Sequence, residues 1–206
     1  MIATFPASND AIADSRQLLT ALEARRAELP FADQVIAAHA SLHQELEGSY
    51  TTSQQAVGAW RAALARRWDA EVAGRRLYKQ IVRQLDAQSG AGGRSPVALL
   101  VRGNGESEIS PAQLLDDLRR LGALLALHAP PIADAALLLR HVEAASADLE
   151  DAIGQTEVTE RRRRSSVLDN RMARDVYQRI RSETYRALET YYGAQLPREF
   201  TASASA

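Results

Sequence analysis

Residues 75–81 of this chain read Arg-Arg-Leu-Tyr-Lys-Gln-Ile, and residues 174–180 read Arg-Asp-Val-Tyr-Gln-Arg-Ile. Each heptapeptide lies in a long basic stretch without proline, and each stretch follows an apolar, more acidic segment that proline interrupts. A second echo, Leu-Pro-Phe-Ala-Asp at 29–33 and Pro-Pro-Ile-Ala-Asp at 130–134, repeats the same order. The two similar pairs of segments are spaced by 99 and 101 residues, so the sequence predicts an internal duplication.

The composition favours an all-α protein. Of the 206 residues 46% are hydrophobic, 25% are charged and only 5% are aromatic. Ala, Leu, Arg and Glu dominate, which are strong helix formers, and β-branched runs of strand length are scarce. The chain contains no cysteine, which excludes disulfides, thiolate catalysis and cysteine zinc sites. Lys79 is the only lysine, so a Schiff base or a phosphate-loop lysine would have to use that residue.

Helix signals divide each half into two arms. Apolar residues recur at helical spacing over 9–48, 52–88, 111–153 and 156–192. The clearest start is Ser110-Pro111-Ala112-Gln113, with serine at the N-cap, proline at the first position and glutamine at the third. Thr52 and Thr156 are predicted to cap the long basic helices, Gly48 and Gly154 to end the preceding arms, and Gly193 to end the last helix.

We therefore predict an antiparallel four-helix bundle built from two duplicated long helical hairpins, with the first arm of each hairpin kinked or broken at its proline. Prolines that only kink the arms would match them in length to the 52–88 and 156–192 helices. The alternative is a six-helix bundle with true corners at Pro30 and at Pro130-Pro131. The predicted core includes these residues on the apolar stripes: Trp60, Leu64, Leu121, Leu125, Leu139 and Ile180.

The predicted boundaries follow composition. Residues 1–93 form the first hairpin copy, a linker follows at 94–110, and 111–194 form the second copy. Residues 195–206, rich in alanine and serine, are predicted to be a disordered tail. We expect one compact bundle overall.

Two histidines raise the question of a metal site. His39 and His43 are spaced i, i+4, and Glu47 follows four residues later, so one helical face could present three ligands. The second half has only His141 near the equivalent place, and it lacks the Glu-x-x-His pairs of di-iron bundles. Because these histidines flank an apolar stripe, we predict boundary residues and no metal site. A metal-dependent enzyme using His39 and His43 is an alternative.

The run Arg161-Arg162-Arg163-Arg164 is the sharpest charge cluster. Four consecutive arginines point around a helix and cannot all reach one duplex backbone. We predict that the run is mostly exposed and contacts an anion or an acidic partner. If it lies early in the last helix, the dipole disfavours it, and the preceding acids Asp148, Glu150 and Asp151 are expected to offset that cost.

The function predicted from sequence is non-enzymatic, because no motif supplies a nucleophile with its base, a phosphate loop, or a metal or cofactor site. We expect a helical-bundle module for protein–protein interaction or self-association, or a structural protein. Binding of nucleic acid or of an acidic partner through the basic helices is an alternative, although the net charge of −1 makes nucleic acid the weaker partner. The N-terminus resembles no signal peptide, and the apolar run 121–127 is shorter than the ~20 residues of a membrane span, so we expect a cytoplasmic protein without a membrane contact.

Overall fold

The computed structural model describes residues 8–88, 110–127 and 134–201. These residues form four principal helices, which are α1 Ser8–Ala24, α2 Ala32–Gln88, α3 Pro111–Leu127 and α4 Ala135–Tyr192. A 3-10 turn, Gly193–Gln195, and a one-turn helix, α5 Arg198–Thr201, follow. Within these ranges no residue belongs to a strand. The predicted all-α fold with four helices packed as a bundle is confirmed.

Local sequence signals set two helix ends as predicted. At the start of α3 the backbone N–H of Gln113 donates to Ser110 Oγ at 3.3 Å, and the backbone N–H of Ser110 donates to Gln113 Oε1 at 2.9 Å. This reciprocal pair satisfies two donors that a helix leaves open at its first turn. At the end of α4, Gly193 adopts a φ of +59°, the left-handed conformation that stops a helix.

Two predicted helix ends are wrong. Helix α2 continues through Gly48, and α4 continues through Gly154, so the predicted caps Thr52 and Thr156 lie inside continuous helices. A glycine inside a helix costs about 1 kcal/mol relative to alanine. The nearby leucines Leu46 and Leu149 are fully buried, and their packing outweighs that cost.

The first proline marks a true corner. Residues 25–31 separate α1 from α2, and Pro30 is exposed there. Arg16 pairs with Glu47 at 2.8 Å, while α1 and the start of α2 share an apolar cluster close to the corner, so the two helices run antiparallel. The predicted kink at Pro30 is therefore wrong, and the corner belongs to the six-helix alternative. Pro130-Pro131 and the predicted linker 94–109 lie outside the described residues.

The chain divides into two compact units, and each long helix contributes to both. The first unit combines residues 1–57 with 162–206, and the second spans 58–161. In the first unit, α1 packs on the start of α2 and the end of α4 through two apolar clusters. Their buried members are Ala11, Leu18, Ala21, Leu22, Leu29, Ala32, Leu42, Leu46, Ala173, Tyr177, Leu188 and Phe200.

The C-terminal segment belongs to the first unit. Phe200 is fully buried beside Leu188 and Leu18, and Arg25 pairs with Glu199 at 3.0 Å. The predicted disordered tail is therefore wrong for residues 196–201, because the apolar side chain of Phe200 anchors them. Residues 202–206 lie outside the described ranges.

The second unit has a more apolar core, built by α3 against the end of α2 and the start of α4. Its buried members are Ala70, Ile81, Leu85, Leu114, Leu115, Leu118, Leu121, Leu125, Ala135, Leu138, Val142, Leu149 and Ala152. The predictions for Leu121 and Leu125 are confirmed, whereas Trp60, Leu64, Leu139 and Ile180 are only half-buried. The prediction treats the helices as broken at Gly48 and Gly154. In the continuous helices, with 3.6 residues per turn, the predicted apolar positions no longer all fall on the buried face.

The elements of the two halves recur at one spacing. Helices α1 and α3 have 17 residues each, and α2 and α4 have 57 and 58. Helix α3 starts at Pro111, 103 positions after the start of α1 at Ser8, and α4 starts at Ala135, 103 positions after the start of α2 at Ala32. Buried leucines recur at the same spacing, in the pairs Leu18 and Leu121, Leu22 and Leu125, Leu46 and Leu149, and Leu85 and Leu188. The echoes at 99 and 101 therefore do not mark equivalent positions.

Candidate functional sites: a buried polar cluster and an outward basic ridge

The arginine run lies in the middle of α4. Arg161, Arg162 and Arg164 are exposed and Arg163 is half-buried, so the predicted exposure is confirmed. The predicted offset by the preceding acids is wrong. Asp148 lies thirteen residues from Arg161 on the same continuous helix, about 20 Å along its axis.

Those acids have other partners. Arg66 Nη2 lies 3.2 Å from Asp148 Oδ1 and 2.8 Å from Asp151 Oδ2. Arg119 Nη2 lies 2.7 Å from Glu150 Oε2. The run is also far from either end of α4, so the helix dipole does not act on it.

The two histidines do not converge on a common point. His39 is fully buried, with Nε2 2.8 Å from Thr184 Oγ1 and its ring edge-on to Tyr177. His43 instead places Nδ1 2.6 Å from Ser15 Oγ and Nε2 3.2 Å from Glu47 Oε1. Across the described ranges no three His, Asp or Glu side chains are grouped as metal ligands.

A buried polar cluster surrounds His39 in the first unit. Its centre is Asp14, which accepts a hydrogen bond of 2.6 Å from the Tyr177 hydroxyl and an Arg181 Nη2 hydrogen bond of 3.1 Å. Arg181 Nε lies 2.7 Å from the same carboxylate, and both side chains are about 20% exposed. The guanidinium also stacks 4.8 Å from the ring centre of Tyr185. We define the polar cluster as Asp14, Ser15, His39, His43, Tyr177, Arg181 and Thr184.

Burial shifts the titration of this cluster. Burial raises the pKa of Tyr177 strongly, and its hydrogen bond to the Asp14 carboxylate raises it further. Burial lowers the pKa of Arg181, but the charge of Asp14, the hydrogen bond to that carboxylate and the nearby Tyr185 and Tyr177 together more than offset burial and raise it. Burial lowers the pKa of His39, which Asp14 only partly counteracts. The His39 imidazole is therefore neutral at neutral pH, beside the ion pair of Asp14 and Arg181.

Ser15, His43 and Glu47 line up as a hydroxyl, an imidazole and a carboxylate. Such an order can activate a serine as a nucleophile. Here Ser15 is fully buried, and its hydroxyl also lies 2.9 Å from the carbonyl oxygen of Ile12. Glu47 is in turn engaged by Arg16. The arrangement joins α1 to α2, and the buried hydroxyl has no room to attack a substrate.

Comparisons with known proteins supply no further assignment. No family model, curated protein or solved structure matches this chain. No helix among the described residues combines the length and the apolar character that crossing a membrane requires.

Large apolar side chains stand exposed on outward faces of the long helices. Trp68 on α2 is 65% exposed, and Leu168 and Met172 on α4 are 55% and 57% exposed. All three lie at the helical spacing of apolar residues, which favours burial, and the structure leaves them exposed instead. Leu168 and Met172 are four residues apart and share one face of α4.

An unpaired basic ridge follows the same outward face of α2 as Trp68. We define the basic ridge as Arg61, Arg76, Lys79 and Arg83, all of them exposed. None of the four has an ion pair or a hydrogen bond with another described residue. Other arginines of the second unit differ, since Arg66 pairs with Asp148 and Arg119 pairs with Glu150. Sequence reasoning noted the positive charge of this helix but not that one face keeps it unneutralised.

Proposed function

We propose that this protein is a non-enzymatic helical-bundle module that binds another protein or a second copy of itself. The observation that carries the proposal is the exposure of Trp68, Leu168 and Met172 among arginines on outward helical faces. Large apolar groups in such positions lose contact with water on binding, and tryptophan is enriched among residues that dominate interface energies.

The two-fold recurrence of the helices supports the same proposal. We infer that the short-then-long helix pair arose by internal duplication, because buried leucines recur 103 positions apart. Duplication gives one chain two related outward faces, which suits an interaction or structural protein. We further propose that the protein works in the cytoplasm.

The proposal takes no catalytic role from the polar cluster. Its serine is fully buried, and His39 and His43 engage different partners. The metal-dependent enzyme therefore has no supporting arrangement among the described residues. Nucleic acid is also a weak candidate, because the chain has a net charge of −1 and no aromatic residue interleaves with the arginine run 161–164.

The experiment combines sedimentation of the purified chain with affinity purification from its native cells. We expect either a concentration-dependent dimer or a partner recovered in near-stoichiometric amount. The variant carrying Trp68→Ser, Leu168→Ser and Met172→Ser should lose that association while its helical content and thermal midpoint stay unchanged. A wild-type chain that stays monomeric and recovers no partner above the level of a tag-only control would contradict the proposal.

A further inference from the structure

We propose that the outward face of α2 over residues 61–83 binds an amphipathic helix of a partner protein whose acidic side chains flank an apolar turn. This inference rests on the proposed function and names the surface and the chemistry of the partner. All of the residues concerned lie in the second unit and on one continuous helix.

The spacing of the face fits a helix as the occupant. Positions 61, 65, 68, 72, 76, 79 and 83 advance by three or four residues each, so they form one stripe along about 33 Å of helix. The first turn carries Arg61, the middle turns carry Ala65, Trp68 and Val72, and the last turns carry the other three members of the basic ridge. The stripe therefore reads basic, apolar, basic.

Charge selects an acidic partner. Lys79 lies three residues from Arg76 and four from Arg83, and like charges at these spacings destabilise a helix by a few tenths of a kcal/mol per pair. Asp69 stands at the margin of the stripe and does not pair with the basic ridge, whose four cations have no ion pair with any residue that the structure describes. Carboxylates from a partner helix would relieve this repulsion and would orient the partner along α2.

The same design recurs in the other long helix. The positions 103 residues after Arg61, Arg76 and Arg83 are Arg164, Arg179 and Arg186, which are all exposed. Exposed Leu168 and Met172 lie between the first two of these arginines. Three exposed arginines and an interval with exposed apolar side chains thus occur on both long helices. A surface that only contacts water would not need this repeated arrangement.

The apolar interval favours a protein over nucleic acid as the occupant. Arg61 and Arg76 are separated by about 22 Å along the helix, whereas phosphates follow one another much more closely along a strand. Trp68 is the single aromatic side chain of the interval, and Ala65 and Val72 on either side of it offer no stacking surface to successive bases, although they suit the apolar turn of a helix. Trp68 in the centre provides the large side chain that anchors such an interface.

The probe is a synthetic helical peptide of about 22 residues with leucine and alanine facing α2 in its central turns and glutamate at both ends. Binding to the full chain is measured by isothermal titration at two salt concentrations. We expect this peptide to bind at least tenfold more tightly than the same peptide with lysine in place of glutamate. The variant with Arg61→Glu, Arg76→Glu and Arg83→Glu should weaken binding at least tenfold, and Trp68→Ser at least fivefold.

Two further variants serve as controls. Arg140→Glu changes an exposed arginine of α4 in the same unit and should leave binding unchanged within twofold. Because Lys79 is the only lysine, a carbodiimide should link the glutamate peptide to this side chain as its only side-chain amine. Lys79→Arg should abolish that link while binding stays unchanged within twofold.

Several outcomes would overturn the inference. Equal binding of the two peptides, or equal loss in Arg140→Glu, would show that the surface does not recognise acidic helices. Tighter binding of a 20-nucleotide single strand than of the glutamate peptide would assign the face to nucleic acid. A natural partner that still binds the triple charge reversal would move the interface elsewhere yet leave the proposed function standing. A peptide that binds as expected while no natural partner or dimer is found would instead count against the proposed function.

Discussion

The two compact units use the same helical frame but fill it differently. At four pairs of positions spaced by 103 residues, the first unit buries a side chain with a polar group where the second unit has an apolar side chain or glycine. With the residue of the first unit named first, the pairs are Ser15 and Leu118, His39 and Val142, Tyr177 and Gly74, and Thr184 and Ile81. The frame therefore does not depend on the polar cluster, because the second unit has an apolar core in its place and buries only Glu71 and Thr156 as polar side chains among its described residues.

The two units also differ in which of two contacting helices carries the large side chain. In the first unit the large ring of Tyr177 packs against the small side chain of Ala11. In the second unit the place of Tyr177 is taken by Gly74, where an added Cβ would lie 3.2 Å from Leu118 Cδ1 and 3.5 Å from Leu114 Cδ2. In each unit a large side chain thus faces a small one, but the large side chain lies on opposite helices in the two units.

Charges show which part of the frame is common. The pair Arg16 and Glu47, at 2.8 Å, recurs as Arg119 and Glu150, at 2.7 Å. Asp14 recurs as Asp117, but the position of Arg181 is taken by Tyr78. Burial raises the pKa of Asp117, and burial together with Asp117 raises the pKa of Tyr78. The comparison teaches that the exposed pair belongs to the frame, whereas the ion pair of Asp14 and Arg181 has no equivalent at the matching positions of the second unit.

The strongest test of a common frame is the loss of an equivalent leucine in each unit. Leu22 and Leu125 are both fully buried, and replacing either with alanine should destabilise the protein by about 2–5 kcal/mol. The two losses should agree within about 1 kcal/mol, as measured by urea unfolding at pH 8. A loss in only one variant would break the equivalence of the two units.

The ion pair should distinguish the units. Asp14→Ala leaves Arg181 and the Tyr177 hydroxyl without their buried acceptor, so we expect a loss of about 2–3 kcal/mol. Asp117→Ala should change the stability at pH 8 much less or raise it, because burial disfavours the charged form of that carboxylate. Equal losses in the two variants, measured by urea unfolding, would show that the buried ion pair has no special weight.

The pH dependence should also separate the two cores. The folded-state pKa of His39 is lowered by burial below its ordinary 6.5, so the unfolded chain binds the proton more readily. Stability should therefore fall as the pH drops below about 6.5. The variant His39→Val with Thr184→Ile copies the second unit and should remove part of this fall, while its stability at pH 8 changes by no more than about 1 kcal/mol. An unchanged pH profile would exclude His39 as its source.

Glycine substitutions test the close approach in the second unit. Gly48→Ala should raise stability by about 0.5–1 kcal/mol, because a Cβ there meets no atom within 4 Å. Gly74→Ala should gain less or nothing, since Leu118 would have to shift to admit the new methyl group. Thermal midpoints of the two variants provide the measurement, and an equal gain would mean that α2 and α3 are packed loosely at Gly74.

The smallest effect is expected for the arginine run. Replacing Arg161, Arg162, Arg163 and Arg164 with glutamine should leave folding intact and change the free energy of unfolding by no more than about 0.5 kcal/mol per site, because three of the side chains are exposed. Circular dichroism and urea unfolding report both quantities. A large loss would reveal contacts that join this stretch to one of the two cores.

Local signals in the sequence predicted local structure correctly. The capping residues Ser110 and Gln113, the stop at Gly193 and the buried stripe through Leu121 and Leu125 all act within one or two helical turns. Gly48 and Gly154 misled the prediction because an isolated glycine weakens a helix without ending it, and tertiary packing then decides.

The polar cluster could not be predicted from local patterns. Asp14 and Arg181 are 167 residues apart and lie on helices whose pairing the sequence does not specify. One signal was present, since Ser15, His39 and Thr184 stand at positions where the other half has Leu118, Val142 and Ile81. Recognising this signal requires the spacing of 103 residues between equivalent positions. The pattern of buried leucines shows this spacing, whereas the short similar segments at spacings of 99 and 101 point to other pairs of positions.

The division of the chain into units sets an order of events during synthesis. The second unit is one continuous segment, so all of its residues exist once position 161 has been translated. The first unit joins residues that are far apart in the sequence, such as Arg25 and Glu199, which are 174 positions apart. The core of the first unit also cannot be completed before Phe200 has been synthesised. As the ribosome delivers the chain, the core of the second unit can close first, while α1 must remain without its final partners until the last turns of α4 and the segment with Phe200 emerge.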